Sequence, residues 1–309
     1  MSQKSSVGYG SQFALLLALL GVLLILGSLL MGFIASQVFH IPILQAGNEL
    51  LKPQNVQMAR LLNTLATAIS FFLPALIVAK ISSTKPFESL GFNRVISFKQ
   101  IILVLFITLG GLFLSGSLAA LNEMIPMPAS FLKKARELEA TYQSAMLTMA
   151  TMKNFGDYLL TLVVIGLAPA IFEEVLFRGS MQSILINWFK SPWIGIIFTA
   201  IIFSAIHGSY FGLLPRIGLG IVLGLVYYFS KNLWLSITMH FLNNAVVVTQ
   251  IYYLTKMGKP VKQAMDESMP IWFGVLAILG LMIIFRLFQQ TSQQVQANHP
   301  TNNSYELMD

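Results

Sequence analysis

Long apolar runs dominate this chain of 309 residues and constrain its fold more than any other feature. A bilayer core about 30 Å thick requires roughly 20 consecutive apolar residues of helix. Lipid offers no hydrogen-bond partner to a backbone that is not helical, so each run should be a helix. The sequence therefore predicts an all-α, polytopic integral membrane protein with about eight transmembrane helices. The runs cover residues 13–34, 61–78, 101–121, 158–188, 192–207, 213–229, 233–254 and 271–288.

Charged residues are scarce, and this scarcity excludes several classes of protein. Only 10% of the residues are charged, against about 25% in an average soluble domain. A soluble enzyme, a disordered chain and a nucleic-acid-binding protein all fit poorly. The net charge of +7 comes mainly from basic residues between the apolar runs, where they would meet anionic lipid headgroups. The absence of cysteine excludes disulfides, thiolate metal sites and a cysteine nucleophile.

Three parts of the chain differ in character. Residues 1–155 contain the first three predicted membrane helices and an amphipathic segment, 131–153, that should lie at the membrane surface. Residues 156–255 contain predicted helices four to seven, the core in which the functional residues are expected. Residues 256–309 contain the last helix and, after Gln289, a polar tail that is predicted to be disordered. Basic residues are nearly balanced between the two faces, so the positive-inside rule assigns no orientation.

Ionisable residues inside the apolar runs are concentrated in predicted helices four to seven. Such a residue costs about 2.5–3.5 kcal/mol on insertion scales and is a candidate functional residue by default. The residues concerned are Glu173, Glu174, Arg178, His207, Arg216 and His240. Arg216 fits no further pattern, since it could meet lipid headgroups, a helix end or an acid.

Helical spacing separates the roles of the two adjacent glutamates. Glu174 and Arg178 lie four residues apart, in the favoured order of acid before base, so a structural ion pair is expected. Glu173 is rotated by about 100° from that face and lacks this partner, which suits a general base. Glu173 and His207 each lie 17 residues from Lys190, in the turn between predicted helices four and five. In an antiparallel helix pair they would be level and could share one water molecule.

A second polar pair lies on predicted helix seven. His240 and Asn244 are four residues apart and therefore share one helix face. Imidazole and carboxamide groups can donate hydrogen bonds to a developing oxyanion. Both residues are thus candidates for an oxyanion hole, although each could instead only connect helices. Pro169, four residues before Glu173, should kink or loosen helix four and make room for water.

Taken in order, these residues resemble the motifs of the CPBP family, the Abi-like intramembrane endopeptidases that include CAAX proteases and bacteriocin-processing enzymes. The family's first motif is two glutamates followed, after three residues, by an arginine. Its second is a phenylalanine and a histidine separated by three residues, and its third a histidine and an asparagine at the same separation. The resemblance covers about residues 158–254. The matching residues are Glu173 and Glu174 with Arg178, Phe203 with His207, and His240 with Asn244.

The resemblance implies hydrolysis of a peptide bond within the membrane. Glu173 and His207 would activate the water molecule, and the ion pair of the first motif would support the site. His240 and Asn244 would stabilise the oxyanion. Members of the family are often described as metalloproteases, so zinc held by Glu173, His207 and His240 is kept as an alternative. The soluble zincin signature His-Glu-x-x-His is absent from the sequence.

The resemblance also sets expectations about partners and location. The expected substrate is a membrane-associated, hydrophobic or lipid-modified peptide, and the expected surroundings are the lipids of a bacterial cytoplasmic membrane. No nucleic-acid partner is expected. Two other functions stay open: a proton-coupled secondary transporter that uses the Glu/His cluster as a relay, and a non-catalytic immunity or scaffold protein. The polar cluster occupies one set of four helices with no mirrored second half, which argues against a transporter.

Overall fold

The computed structural model describes residues 7–93, 95–259, 261 and 268–299. Within these ranges the chain is helical and contains no strand, which confirms the all-α class. The helices are, in chain order, α1 (Tyr9–Phe39), α2 (Ile43–Leu50), α3 (Pro53–Ser82), α4 (Pro86–Ser89), α5 (Phe98–Glu123), α6 (Ala129–Met149), α7 (Phe155–Phe189), α8 (Pro192–Ile206), α9 (Leu213–Ser230), α10 (Leu233–Lys256) and α11 (Ile271–Asn298).

Six helices of the described ranges are long and apolar enough to cross a membrane, namely α1, α3, α5, α7, α9 and α11. The prediction of a polytopic membrane protein is confirmed, whereas two of the eight predicted crossings do not meet this criterion. Helix α8 is apolar but has only 15 residues, which is about 22 Å of helix. Helix α10 has 24 residues, but polar side chains such as His240, Asn243 and Asn244 interrupt its apolar sequence.

Helix α7 is 35 residues long and contains two stretches with the wider turn of a π-helix, Leu162–Leu167 and Val175–Gln182. A third such stretch, Ala68–Phe72, lies in α3. The first and third are followed within two residues by Pro169 and Pro74, which lack the N–H needed for an i→i−4 hydrogen bond. The predicted loosening at the proline of α7 thus takes the form of a widened turn. Such turns are frequent at functional sites.

The packing centre of the protein is the second half of α7, against which α8 and α9 lie. Val175–Gln182 is buried at every position. At Gly220 of α9, a Cβ atom would lie 2.9 Å from the Cβ of Ala200 in α8, so glycine permits the close approach of the two helices. Large exposed apolar side chains, such as Ile25 of α1 and Ile283 of α11, cover the outer helices. This distribution is the one expected of a surface that faces lipid.

Helix α6 corresponds to the segment predicted to be amphipathic, and a buried arginine holds its C-terminal end. The guanidinium of Arg60, a side chain that is 1% exposed, donates to the backbone oxygens of Met149 at 2.9 Å and Thr151 at 2.8 Å. It also donates to Oγ1 of Thr161 in α7 at 2.6 Å. Arg60 therefore satisfies backbone oxygens at and just beyond this helix end and ties α3, α6 and α7 together.

The disorder predicted after Gln289 does not hold within the described residues, because α11 continues as a helix through this polar sequence. The buried hydroxyl of Ser292 accepts a hydrogen bond from Nε2 of Gln100 at 3.1 Å. Nε2 of Gln296 donates to the last two carbonyl oxygens of α9 at 2.9 and 3.2 Å. These polar side chains are thus packing contacts. Residues 300–309 of the predicted tail lie outside the described residues.

Candidate active site

The two adjacent glutamates lie near the middle of α7 and are buried. Glu174 is fully buried, and Glu173 is 8% exposed. Oε1 of Glu174 accepts a hydrogen bond from Nη1 of Arg178 at 2.6 Å, and both side chains are completely enclosed. This is the ion pair that the i,i+4 spacing predicts. Removal of either partner would leave an uncompensated buried charge, which is strongly destabilising.

Arg178 is held by three different helices. Its Nη2 donates to the backbone oxygen of Gly220 in α9 at 3.3 Å. Its Cζ lies 4.8 Å from the ring centre of Phe203 in α8, a cation–π contact. With Glu174 on α7, these contacts fix the guanidinium between α7, α8 and α9. The motif arginine Arg178 is therefore buried and holds the carboxylate of Glu174 in place.

Helix α10 supplies two further partners to Glu174. Oε2 accepts a hydrogen bond from the hydroxyl of Ser236, and Oε1 lies 2.8 Å from Nδ1 of His240. A carboxylate paired with Arg178 can only accept hydrogen bonds, so Nδ1 of the histidine carries the proton. Sequence reasoning missed Ser236, although its position four residues before His240 on the same helix face was the signal available.

The second ring nitrogen of His240 faces Glu173. Nε2 lies 3.8 Å from Oε2 of Glu173, a distance that allows electrostatic attraction but exceeds a hydrogen bond. Among the described residues, Glu173 accepts no hydrogen bond. The two glutamates therefore differ sharply: Glu174 is saturated with donors, whereas Glu173 keeps its lone pairs available. The contacts thus differ as the helical spacing predicts, whereas the role of Glu173 as a general base stays a prediction.

His207 follows the last residue of α8. Its Nδ1 lies 2.7 Å from the backbone oxygen of Phe203. A carbonyl oxygen can only accept, so Nδ1 carries the proton and Nε2 is left available. The histidine is close enough to Glu173 for their charges to interact, in agreement with the common level that the turn at Lys190 predicts. The Phe203 ring lies edge-on to both histidines, with centroid distances of 4.8 Å to His207 and 6.1 Å to His240.

Asn244 lies one turn beyond His240 on α10. Its Nδ2 donates a long hydrogen bond of 3.4 Å to the backbone oxygen of Gly166, and its Oδ1 accepts one of 3.4 Å from Asn243. The carboxamide is thus placed beside the first widened turn of α7. Its predicted donation to an oxyanion stays a prediction, because the present partner of its amide is a backbone oxygen.

The zinc alternative requires three ligand side chains placed around one point. The part of the chain that the structure describes contains no group of three His, Cys, Asp or Glu side chains placed to hold a metal ion. Glu173, His207 and His240 are neighbours: Nε2 of His240 lies 3.8 Å from Oε2 of Glu173, and its Nδ1 is bonded to Glu174. The zinc alternative stays a prediction, and no step below depends on a metal.

A mainly apolar cavity lies between α6 and the segment that follows α8. Its volume is about 270 Å³. Phe131 and Leu138 of α6 line one wall, and Ser204, Gly208 and Tyr210 are among the residues opposite. Since Gly208 directly follows His207, the cavity lies next to the loop that carries the motif histidine.

Comparison with known proteins gives a match over the same helices. Residues 155–246 match the family model described as type II CAAX prenyl endopeptidase Rce1-like. An uncharacterized 24.3 kDa protein of Escherichia coli is 32% identical over 96 residues, which represent 28% of this chain and 42% of that protein. The chain therefore aligns with less than half the length of this relative. No solved structure matches the chain.

The matched segment contains all three motifs and the helices that bring them together. It begins at the first residue of α7 and ends two residues after Asn244. The resemblance to CPBP endopeptidases, which rests on those motifs, is thereby supported by an independent comparison. The chain is a polytopic membrane protein, and its residues 155–246 are similar to the Rce1-like type II CAAX prenyl endopeptidases.

Proposed function

We propose that this protein is an intramembrane endopeptidase in which Glu173 and His207 activate the water molecule that hydrolyses a peptide bond. One observation carries the proposal: a buried chain of contacts runs from Arg178 through Glu174 to His240 and ends 3.8 Å from Glu173. The chain neutralises one carboxylate and leaves the adjacent one available as a base. The family match supports the same class of reaction.

The proposed reaction uses Glu173 as the group that accepts and returns a proton. Glu173 takes a proton from water as the water oxygen forms a bond to the carbonyl carbon of the substrate. His207, whose Nδ1 is engaged by a backbone oxygen, presents Nε2 to orient that water. When the C–N bond breaks, the proton passes from Glu173 to the leaving amine nitrogen.

The oxyanion formed in this step requires donors, which we assign to His240 and Asn244. In the proposed step Nδ1–H of His240 stays bonded to Glu174, and Nε2 also carries a proton. Nε2–H of His240 and the amide of Asn244 then donate to the oxyanion. The Asn244 amide exchanges its long bond to a backbone oxygen for this interaction.

The surroundings of the site favour a hydrophobic substrate. The cavity beside His207 is mainly apolar, with a volume of about 270 Å³, and the site is enclosed by membrane helices. A membrane-associated, hydrophobic or lipid-modified peptide fits these surroundings. We also propose a bacterial cytoplasmic membrane as its location, since the chain has the helices of a membrane protein and a relative comes from the bacterium Escherichia coli.

The proposal is tested by the variant Glu173→Gln, which keeps the size of the side chain and removes the base. Peptides from the membrane fraction of cells with wild type and with the variant are compared by mass spectrometry. Substrates found this way are then incubated with purified protein in detergent. We expect cleavage to fall by about 10²- to 10⁴-fold, the usual contribution of a general base, with an unchanged melting temperature. His207→Ala should cause a loss of the same kind.

A matched control is Glu123→Gln, which makes the same chemical change at an exposed position at the end of α5 and should leave cleavage unaltered. Full activity of purified Glu173→Gln protein would refute the mechanism. Proton-coupled solute uptake into liposomes without any proteolysis would instead favour a transporter.

A further inference from the structure

Arg216, on the first turn of α9, has no role in the reaction proposed above. Within the described residues, no carboxylate lies within ion-pair distance of its guanidinium. Its Nη1 is buried and has no hydrogen-bond partner. A buried donor of a charged group normally has an acceptor, because leaving it unpaired is costly. The missing acceptor therefore points to a group that the described residues do not provide.

The position of the Arg216 guanidinium is defined by two neighbouring elements. Its Cζ lies 5.4 Å from the ring centre of Tyr142 in α6. A Cβ atom on Gly212 would lie 2.0 Å from Nη1 and 2.5 Å from Cζ. The backbone of Gly212 has φ −90° and ψ 5°, which residues other than glycine also adopt. A side chain at position 212 would therefore displace the guanidinium of Arg216 without straining the turn.

Arg216 is also held close to the candidate active site. It interacts electrostatically with His207, and the loop between these two residues is fixed by Asn122 of α5, which is fully buried. Nδ2 of Asn122 donates to the backbone oxygen of Tyr210 at 3.0 Å, and its Oδ1 accepts from the backbone N–H of Leu214 at 3.0 Å. The cation is thus placed at a defined position beside the histidine.

We propose that Arg216 binds a carboxylate of the peptide substrate and so determines which peptide bond is presented to Glu173 and His207. A guanidinium forms two parallel hydrogen bonds with a carboxylate, a geometry for which arginine is preferred over lysine. The carboxylates of a peptide are its C-terminus and the side chains of Asp and Glu. This inference rests on the proposed function, because it assumes a peptide substrate. Arg216 is here a specificity-determining residue.

The test measures binding in the Glu173→Gln background, so that it does not depend on turnover. The probes are three fluorescent hydrophobic decapeptides of one sequence: with a free C-terminus, with a C-terminal amide, and with the amide plus one internal Asp. Fluorescence anisotropy in detergent micelles gives each Kd. We expect a carboxylate-bearing peptide to bind about tenfold more tightly than the plain amide, as charged hydrogen bonds allow. Whichever of the two binds more tightly identifies the source of the carboxylate.

Arg216→Gln should abolish this preference by weakening only the peptide that carries the favoured carboxylate. Gly212→Ala should weaken the same peptide, because it displaces the guanidinium without removing it. Arg216→Lys should restore part of the preference, since it keeps the charge and loses the planar fork. The matched control is Arg286→Gln on an exposed face of α11, which changes the net charge equally and should leave the preference intact.

Other outcomes would overturn the proposal. Equal weakening of all three peptides by Arg216→Gln, or an unchanged preference, would show that Arg216 does not recognise a carboxylate. Loss of bound phosphatidylglycerol in native mass spectrometry, with the peptide preference unchanged, would assign Arg216 to a lipid phosphate. A carboxylate preference in a protein whose wild type cleaves no peptide would refute the proposed peptidase while supporting this binding site.

Discussion

Two carboxylates that are adjacent in sequence acquire different chemistry because their surroundings differ. Glu174 receives donors from Arg178, Ser236 and His240, whereas Glu173 has one basic neighbour at 3.8 Å. A saturated carboxylate is a poor proton acceptor, since protonation would cost it those hydrogen bonds. The unsaturated neighbour can change its protonation state without disturbing the fold. At the scale of residues, one carboxylate is a fixed charge, and its neighbour is the base of the proposed reaction.

The ion pair between Glu174 and Arg178 can be tested with two single variants and the double variant. Glu174→Gln and Arg178→Met each remove one half of a fully buried ion pair, so each should lower the stability by about 3–5 kcal/mol. The double variant should recover much of that loss, because no unpaired charge remains. It should stay inactive, since His240 has lost its carboxylate. Melting temperature in detergent and cleavage of an identified substrate are the two measurements.

Two outcomes would contradict this description of the ion pair between Glu174 and Arg178. If the double variant were less stable than either single variant, the two residues would act independently and the pair would not be the unit described above. If a single variant kept both normal yield and normal activity, its supporting role would be refuted.

Ser236 offers a milder test of the same carboxylate. Ser236→Ala removes one hydrogen bond to a charged group, which is worth about 1.5–3 kcal/mol. We expect cleavage to slow by about tenfold, which corresponds to roughly 1.4 kcal/mol in the barrier, with a small fall in melting temperature. Thr238→Ala is the control on the same helix, because that side chain is only partly buried and its hydroxyl bonds to its own helix backbone. An equal effect of both substitutions would deny Ser236 any specific role.

Local spacing predicted part of this site, and its limits are physical. The i,i+4 rule predicted that Glu174 pairs with Arg178, because both lie on one helix. It could not predict that Nδ1 of His240 bonds to the same carboxylate, since that contact depends on how α10 is rotated against α7. For the same reason the backbone oxygen of Gly220 could not be identified as a partner. The catalytic roles of the motif residues stay predictions.

At the scale of elements, the end of α11 shows how tertiary contacts override composition. Its sequence after Gln289 is polar, which predicts disorder, yet Ser292 and Gln296 are bonded to α5 and α9. Those partners come from chain segments that are distant in sequence, so no local pattern could indicate them. The proline-linked widening of α7 is a contrasting case, because Pro169 alone predicts a disturbed helix there.

Truncation of the C-terminus should therefore be tolerated only where it keeps the contacts of Ser292 and Gln296. Removal of residues 290–309 should lower the melting temperature markedly more than removal of residues 300–309, because only the longer truncation loses the contacts of Ser292 and Gln296. The double variant Ser292→Ala, Gln296→Ala in the full chain should reproduce much of the second effect. Equal tolerance of both truncations would show that this part of the helix contributes nothing to stability.

At the scale of the whole molecule, helix length determines which helices can reach both faces of the membrane. Helix α7 spans about 52 Å at 1.5 Å per residue, whereas α8 spans about 22 Å. The loop between α8 and α9 is therefore expected to lie within the bilayer, at the depth of Glu173. Non-helical backbone is permitted there only when it is buried in protein or lines a cavity, and this loop does line one.

Single cysteines can test this depth, since the chain contains none. Ser191→Cys before α8 and Lys153→Cys before α7 should react with a membrane-impermeant maleimide from opposite faces. Phe211→Cys, in the loop after α8, should react much more slowly from either face. All three should react in detergent, which is the control for accessibility. Rapid labelling of Phe211→Cys from the face of Lys153 would show that α8 is also a complete crossing, as the sequence predicts.

The contacts of the Phe203 ring predict how this position should vary among relatives. It is the one apolar member of the three motifs, and it touches a residue of each: Arg178 at 4.8 Å, His207 at 4.8 Å and His240 at 6.1 Å. A substitution here would shift three polar groups at once, so no single second-site change could compensate for it. Among divergent relatives, position 203 should therefore change only where selection for the activity has already ceased. Relatives that lack an aromatic ring at position 203 should therefore have a different function.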